Sequence, residues 1–200
     1  MSDEESRGEA DRIIAALGLK RHPEGGWYRQ TWIGPVVGLG VGPEVGLAVG
    51  TAVGREVGPT VGREIGPGVG PAVGREVGPA VGSGLARATG TAILFLLKAG
   101  ERSHWHRVDA DEIWIFNAGA PLILSVGDEV ATEFVLGPQV LQGQQVQVVV
   151  PRGWWQAARS TGDWTLVSCT VSPGFRFEGF ELAEAGFDLA VDAVSTCGRR

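Results

Sequence analysis

The chain is predicted to be an all-β protein, an antiparallel barrel or sandwich entered by one short helix. Two observations point there. From Thr91 to Val171 short apolar or alternating runs recur at spacings of about ten residues, with Gly- and Pro-containing turns between them. Helical periodicity is confined to a short stretch near the N-terminus, where Ile13, Ile14 and Leu17 share a face.

Asp11–Leu17 reads as an amphipathic helix, and Gly18 stands where a helix-terminating glycine belongs. His22-Pro-Glu-Gly-Gly26 is a turn, and its glycines let backbone pass close to a neighbouring strand or a ligand. Trp27–Trp32 is aromatic and strand-like. After Thr91–Leu97 and the turn at Gly100 come Ile113–Phe116, Leu122–Val126, Ala131–Leu136, Val146–Val150, Trp154–Ala158 and Trp164–Val171, each bounded by turn residues. The alternating aromatics of Ser172–Phe180 read as a closing strand, and residues 184–200 as a frayed tail.

Between Ile33 and Gly82 a Val-Gly or Ile-Gly pair recurs every four residues. A period of four matches neither strand nor heptad, the glycines weaken any helix, and the prolines remove backbone donors. Residues 34–89 are therefore expected to be a disordered, low-complexity insertion. It interrupts a single domain made of residues 10–33 and 90–183.

A net charge of −6 and the lack of a basic stripe argue against nucleic acid or anionic membrane as a partner. Two cysteines do not make a disulfide framework. No stretch reaches membrane-spanning length and the first residues are acidic and polar, so a cytoplasmic protein is expected.

The segment Gly100–Gly119 concentrates the chemistry. Residues two apart on a strand share a face, which groups His104 with His106 and Val108, and Glu112 with Trp114 and Phe116. If the two strands pair, imidazole and carboxylate meet inside the barrel, as raw material for a metal site or for a general base with its orienting acid.

This segment together with Pro151-Arg-Gly153 resembles the two motifs of the cupin superfamily, small jelly-roll barrels. Six blocks in order resemble its DUF985 family: His22-Pro-Glu-Gly-Gly-Trp-Tyr, Ser103-His-Trp-His-Arg, Asp111-Glu-Ile-Trp, Ala118-Gly-Ala-Pro-Leu, Val150-Pro-Arg-Gly-Trp-Trp-Gln and Val171-Ser-Pro-Gly-Phe. The resemblance implies a double-stranded β-helix, a homodimer, and a ligand pocket in the barrel. Cupins hold metal on two histidines, a glutamate and a further histidine. Those places fall here on His106, Val108, Glu112 and Gln156, so no metal cofactor is expected. Were a divalent metal bound, His104, His106, Glu112 and Gln156 would be its ligands.

Without metal, the resemblance extends to sugar-nucleotide epimerases. It implies an isomerase-like enzyme with His106 as base and Glu112 as its partner, in a pocket walled by Trp114, Phe116 and Trp155. The competing reading is a non-catalytic module for a nucleotide- or sugar-like ligand, with Arg29, His104 and Trp114 in the contact set; Glu24 and Gln156 are weaker candidates for ligand contact.

Overall fold

A computed structural model describes residues 3–37 and 87–192. The Val-Gly repeat, and with it the expectation of disorder, lies outside these residues. Its ends do not: β3 (Val36–Val37) pairs antiparallel with β4 (Arg87–Ala88), so the chain leaves and re-enters the domain through a paired neck. The insertion is therefore narrower at both ends than residues 34–89.

Helix α1 (Asp3–Leu17) begins earlier than the apolar pattern announces, because the sequence of its first turns is mostly charged and carries no apolar period. Ala10 and Ile14 are buried and Ile13 and Leu17 half-buried, the spacing of one helical face. Gly18, at φ 62°, ends it. Its N–H reaches the Ala15 carbonyl and that of Leu19 the Ile14 carbonyl, the paired bonds of a Schellman cap.

Six strands form one sheet in the order β1 (Lys20–Arg21), β2 (Trp27–Ile33), β5 (Thr91–Lys98), β12 (Trp164–Ser172), β7 (Asp111–Gly119) and β10 (Gln147–Val150). Five form the other, in the order β13 (Phe180–Leu182), β6 (Arg102–Val108), β11 (Trp155–Ser160), β8 (Leu122–Gly127) and β9 (Ala131–Leu136). Every pairing within both sheets is antiparallel. The continuous apolar run of β5 has a physical cause. Phe95 and Leu97 point into the space between the sheets, while Leu94 and Leu96 lie on the other face beneath Ile14, Leu17 and Leu19. A strand covered on both faces has no polar side to show.

The inner core gathers Phe95, Leu97, Trp114, Leu122, Leu124, Val126, Leu136, Val148, Val150 and Val167. It fills one end of the barrel and leaves the other open.

Two segments depart from expectation. Ser172–Phe180 is not a strand: it runs through a turn at Phe177–Gly179 and enters only the short β13. Its aromatic alternation serves a cluster, with the Phe175 ring 5.1 Å from Phe177 and 5.9 Å from Phe180. Nor is the tail frayed from residue 184. Residues 183–192 cross the outer face of the five-stranded sheet, where Trp105 Nε1 donates to Asp188 at 2.8 Å and Ala131 N donates to the Ala190 carbonyl at 2.8 Å. Phe187 packs at 4.7 Å on Trp155.

Candidate functional site

The open end of the barrel is a cavity of about 100 Å³. Its polar wall includes His22, Glu24, Tyr28, His106, Glu112 and Cys169; its apolar wall includes Ile93, Val108, Phe175, Phe177 and Phe180.

Glu24 reaches the interior because the turn around it lies flat on β6. Gly25 is at φ 108°, and a Cβ there would come within 2.1 Å of the Arg102 carbonyl oxygen, so no other residue fits without moving backbone. His104 N then donates to the Glu24 carbonyl at 2.7 Å, which pins the loop to the strand.

β6 does not alternate regularly. Gln156 lies opposite His106 but Ala158 lies opposite Ser103, so β6 carries one extra residue, a bulge. Parity flips there: Ser103 and His106 are both buried while His104 is exposed. The expectation that His104 and His106 share a face is corrected by this bulge.

His106 is held from two sides. Nδ1 lies 2.8 Å from the His104 carbonyl, which can only accept, so the ring proton sits on Nδ1 and Nε2 keeps its lone pair. Nε2 lies 3.3 Å from Glu24 Oε2. Ser103 donates to Glu24 Oε1 at 2.9 Å, and His22 Nδ1 stands 3.4 Å from Oε2. The carboxyl touching His106 is thus Glu24 rather than Glu112. Glu112 accepts from Gln156 Nε2 at 2.6 Å, and Gln156 Oε1 accepts from Trp114 Nε1 at 2.7 Å.

Burial sets the charges. It pushes the Glu24 carboxyl up to about 8, against a smaller lowering by the Ser103 bond. It pushes Glu112 up to about 7. His22 falls to about 4, through burial and then His106. Burial lowers His106 as well, outweighing Glu112 and the His104 carbonyl. At neutral pH Glu24 and His106 therefore face each other as acid and imidazole, not as an ion pair. Burial, with Glu112 and Glu24 nearby, holds the Cys169 thiol far above its usual range, as an inert wall group.

These shifts fix how stability follows pH. The carboxyls are raised on folding, so the stability their burial lends is complete below about 4.5 and is lost as pH climbs toward 7 and 8. The histidine contribution runs the other way, complete above 6.5 and lost toward 4. Between pH 6.5 and 8 the carboxyls act without that opposition. Stability is expected to fall across that window by up to about 1.4 kcal/mol per pH unit for each ionising group, taking the melting temperature down with it, and Glu24→Gln is expected to flatten the fall. A wild-type profile level from pH 6.5 to 8 in calorimetry would show that neither carboxyl is held as an acid.

The fold family implies metal, and the residues present do not fit one. Val108 offers no donor, His104 points outward, and the one oxygen with which Gln156 could ligate is occupied by Trp114. Among the described residues no three His, Cys, Asp or Glu side chains are grouped to hold an ion.

The cupin superfamily family DUF985 matches residues 11–183. The chain belongs to this family. Among solved structures it is similar to a protein of Shewanella oneidensis at 30% identity, over 87% of this chain and 84% of that one, with a TM-score of 0.59. A hypothetical protein from Leishmania major is similar at 26% identity, over 86% and 85%, with a TM-score of 0.60. No curated protein matches. Among the described residues no helix is long and apolar enough to cross a membrane.

In this DUF985 cupin the residues singled out from sequence separate into three places. His106 and Glu112 line the cavity. Trp114, Phe116 and Gln156 lie behind it: Trp114 packs edge-on against Phe95 at 5.7 Å, and Phe116 joins the same core. Arg29, His104 and Trp155 are outside. Arg29 alternates with the cavity residues Tyr28 and Gln30 and lies near Gly18 at the end of α1. Trp155 is held between Phe187 and the Arg107 guanidinium, 4.6 Å from its ring centre. Sequence reasoning passed over His22 and the phenylalanines and ranked Glu24 low. Their signal was the Pro-Glu-Gly-Gly turn and the aromatics after Val171.

Proposed function

We propose that this cupin is a metal-independent proton-transfer enzyme of the isomerase type, acting on a small carbon acid held in the barrel mouth. The observation that supports the reading is the Glu24–His106 pair, 3.3 Å apart and buried in the cavity wall. His106 Nε2 takes the proton from a C–H beside a carbonyl or another electron-withdrawing group, becoming imidazolium as the substrate becomes carbanionic. As Nε2 takes the carbon-bound proton, the Glu24 acid gives its own proton to the carbonyl oxygen, leaving an enol and a carboxylate beside the imidazolium; the Nε2 proton exchanges with solvent before one is returned to carbon, and the enol proton goes back to Glu24. Burial favours this use, since both groups stay close to neutral until the substrate arrives. The cavity is small beside the roughly 300–1,000 Å³ of pockets for drug-sized ligands, and among the described residues neither Lys nor Arg lines it. Both features disfavour a whole sugar nucleotide and favour a fragment of triose or tetrose size.

The test is incubation in D2O with trioses, tetroses and their amino derivatives, read by proton NMR for loss of one C–H signal. Stereospecific deuterium incorporation is the expected result. Ligands that raise the melting temperature without any exchange would favour a binding module, a reading that the internally satisfied polar wall also accommodates.

A further inference from the structure

Among the described residues, the cavity wall combines three phenylalanine rings with buried carboxyls and includes neither Lys nor Arg. We propose that it takes a small organic cation, an ammonium or quaternary ammonium compound. This rests on reading the cavity as the substrate site.

Phe175, Phe177 and Phe180 meet pairwise at 5.1, 5.9 and 6.4 Å with interplanar angles of 83°, 63° and 78°. The three rings line the cavity together, with Phe180 also lying 5.6 Å from the His106 ring at a tilt of 33°, and aromatic rings attract ammonium groups. The segment bearing them is anchored. Arg87 donates to the Gly174 carbonyl at 2.5 Å and pairs with Asp109 at 2.7 Å, Arg176 pairs with the same carboxylate at 2.9 Å, and Phe175 N donates to Thr91 at 2.9 Å.

Glu24 and Glu112 line the same cavity. Elsewhere in the protein Asp109, Glu133 and Glu181 each pair with an arginine. Glu24 is bonded by Ser103, His22 and His106, and Glu112 by Gln156, with Cys169 beside it. None of these neighbours carries a permanent charge. An entering ammonium supplies the missing counter-charge and expels a proton to solvent; an anion would meet two acids and no cation. Tyr28, His22, His106 and Cys169 also face the cavity. Burial keeps both imidazoles neutral and the thiol protonated, which leaves the two carboxyls as the groups that ionise.

The experiment is isothermal titration of the full chain with choline and with 3,3-dimethylbutan-1-ol, its uncharged carbon isostere, at pH 6, 7 and 8. Choline is expected to bind at least about tenfold more tightly than the alcohol. Its affinity should rise by up to about tenfold per pH unit below pH 8, with a heat that varies with buffer because a proton is released. Glu112→Gln should weaken choline and leave the alcohol unchanged. Equal affinity for the two probes, no binding of choline, or binding indifferent to pH would overturn the proposal. Choline binding in a protein that exchanges no substrate deuterium would leave the cation site standing and remove the proton-transfer reading; exchange without cation preference would do the reverse.

Discussion

Replacing His106 with alanine is expected to slow deuterium incorporation by about 10²–10⁴-fold, the contribution of a positioned acid–base group. The argument is geometric. Nε2 carries the lone pair because the His104 carbonyl takes the Nδ1 proton, and it faces the Glu24 acid, which releases it as base when the Glu24 proton passes to the substrate oxygen. Within the cavity wall Glu112 is the other candidate base, and its Oε2 is already engaged by Gln156. The alanine variant also removes the acceptor of the Glu24 acid, at a cost to stability of about 1–3 kcal/mol, so a second variant is needed. Glu24→Gln keeps a donor toward Nε2 and an acceptor for Ser103, and cannot take up a proton. It is expected to melt near wild type below about pH 4.5, to gain on wild type as pH rises from there, and still to lose most of the exchange at neutral pH. Wild-type exchange in a folded His106→Ala protein would end the proposed chemistry. Full exchange in Glu24→Gln with loss in His106→Ala would leave the histidine as base and make Glu24 a positioning residue.

The strands were legible because their causes are local. Ala131–Leu136 is bounded by turns and forms β9 over those same residues. Thr91–Leu97 falls within β5, where burial on both faces writes an uninterrupted apolar run. What escaped was whatever depended on a register slip or a distant neighbour. Counting by two from His106 placed His104 inward, and the one-residue bulge opposite β11 reversed it. Glu24 comes from a turn far from β6 in sequence, and its role depends on Gly25 lying against the Arg102 carbonyl. The glycine pair announced a close approach without saying to what. Trp155 was assigned to the pocket by its motif, yet the closing of residues 183–192 over the outer sheet makes it an exterior packing residue.

Trp114 is where fold and site are coupled most tightly. It is 1% exposed, packs edge-on against Phe95, and through Gln156 holds the Glu112 carboxyl in place. Trp114→Ala is expected to destabilise the protein by about 3–5 kcal/mol, from a cavity of indole size in a core with nothing free to fill it. At about 2–4 °C per kcal/mol for a domain of this length, the melting temperature should fall by roughly 6–20 °C. Trp114→Phe separates the two roles. It restores most of the volume and removes the N–H, leaving Gln156 Oε1 buried without a donor, at about 1–3 kcal/mol. Freed of that donor, the Gln156 amide can turn its oxygen toward Glu112, which then holds its own proton more firmly to donate back. The fall in stability above pH 6.5 should accordingly shift to higher pH in Trp114→Phe. A phenylalanine variant with wild-type stability and an unshifted profile would show that the indole serves packing alone and that Glu112 is oriented by other means.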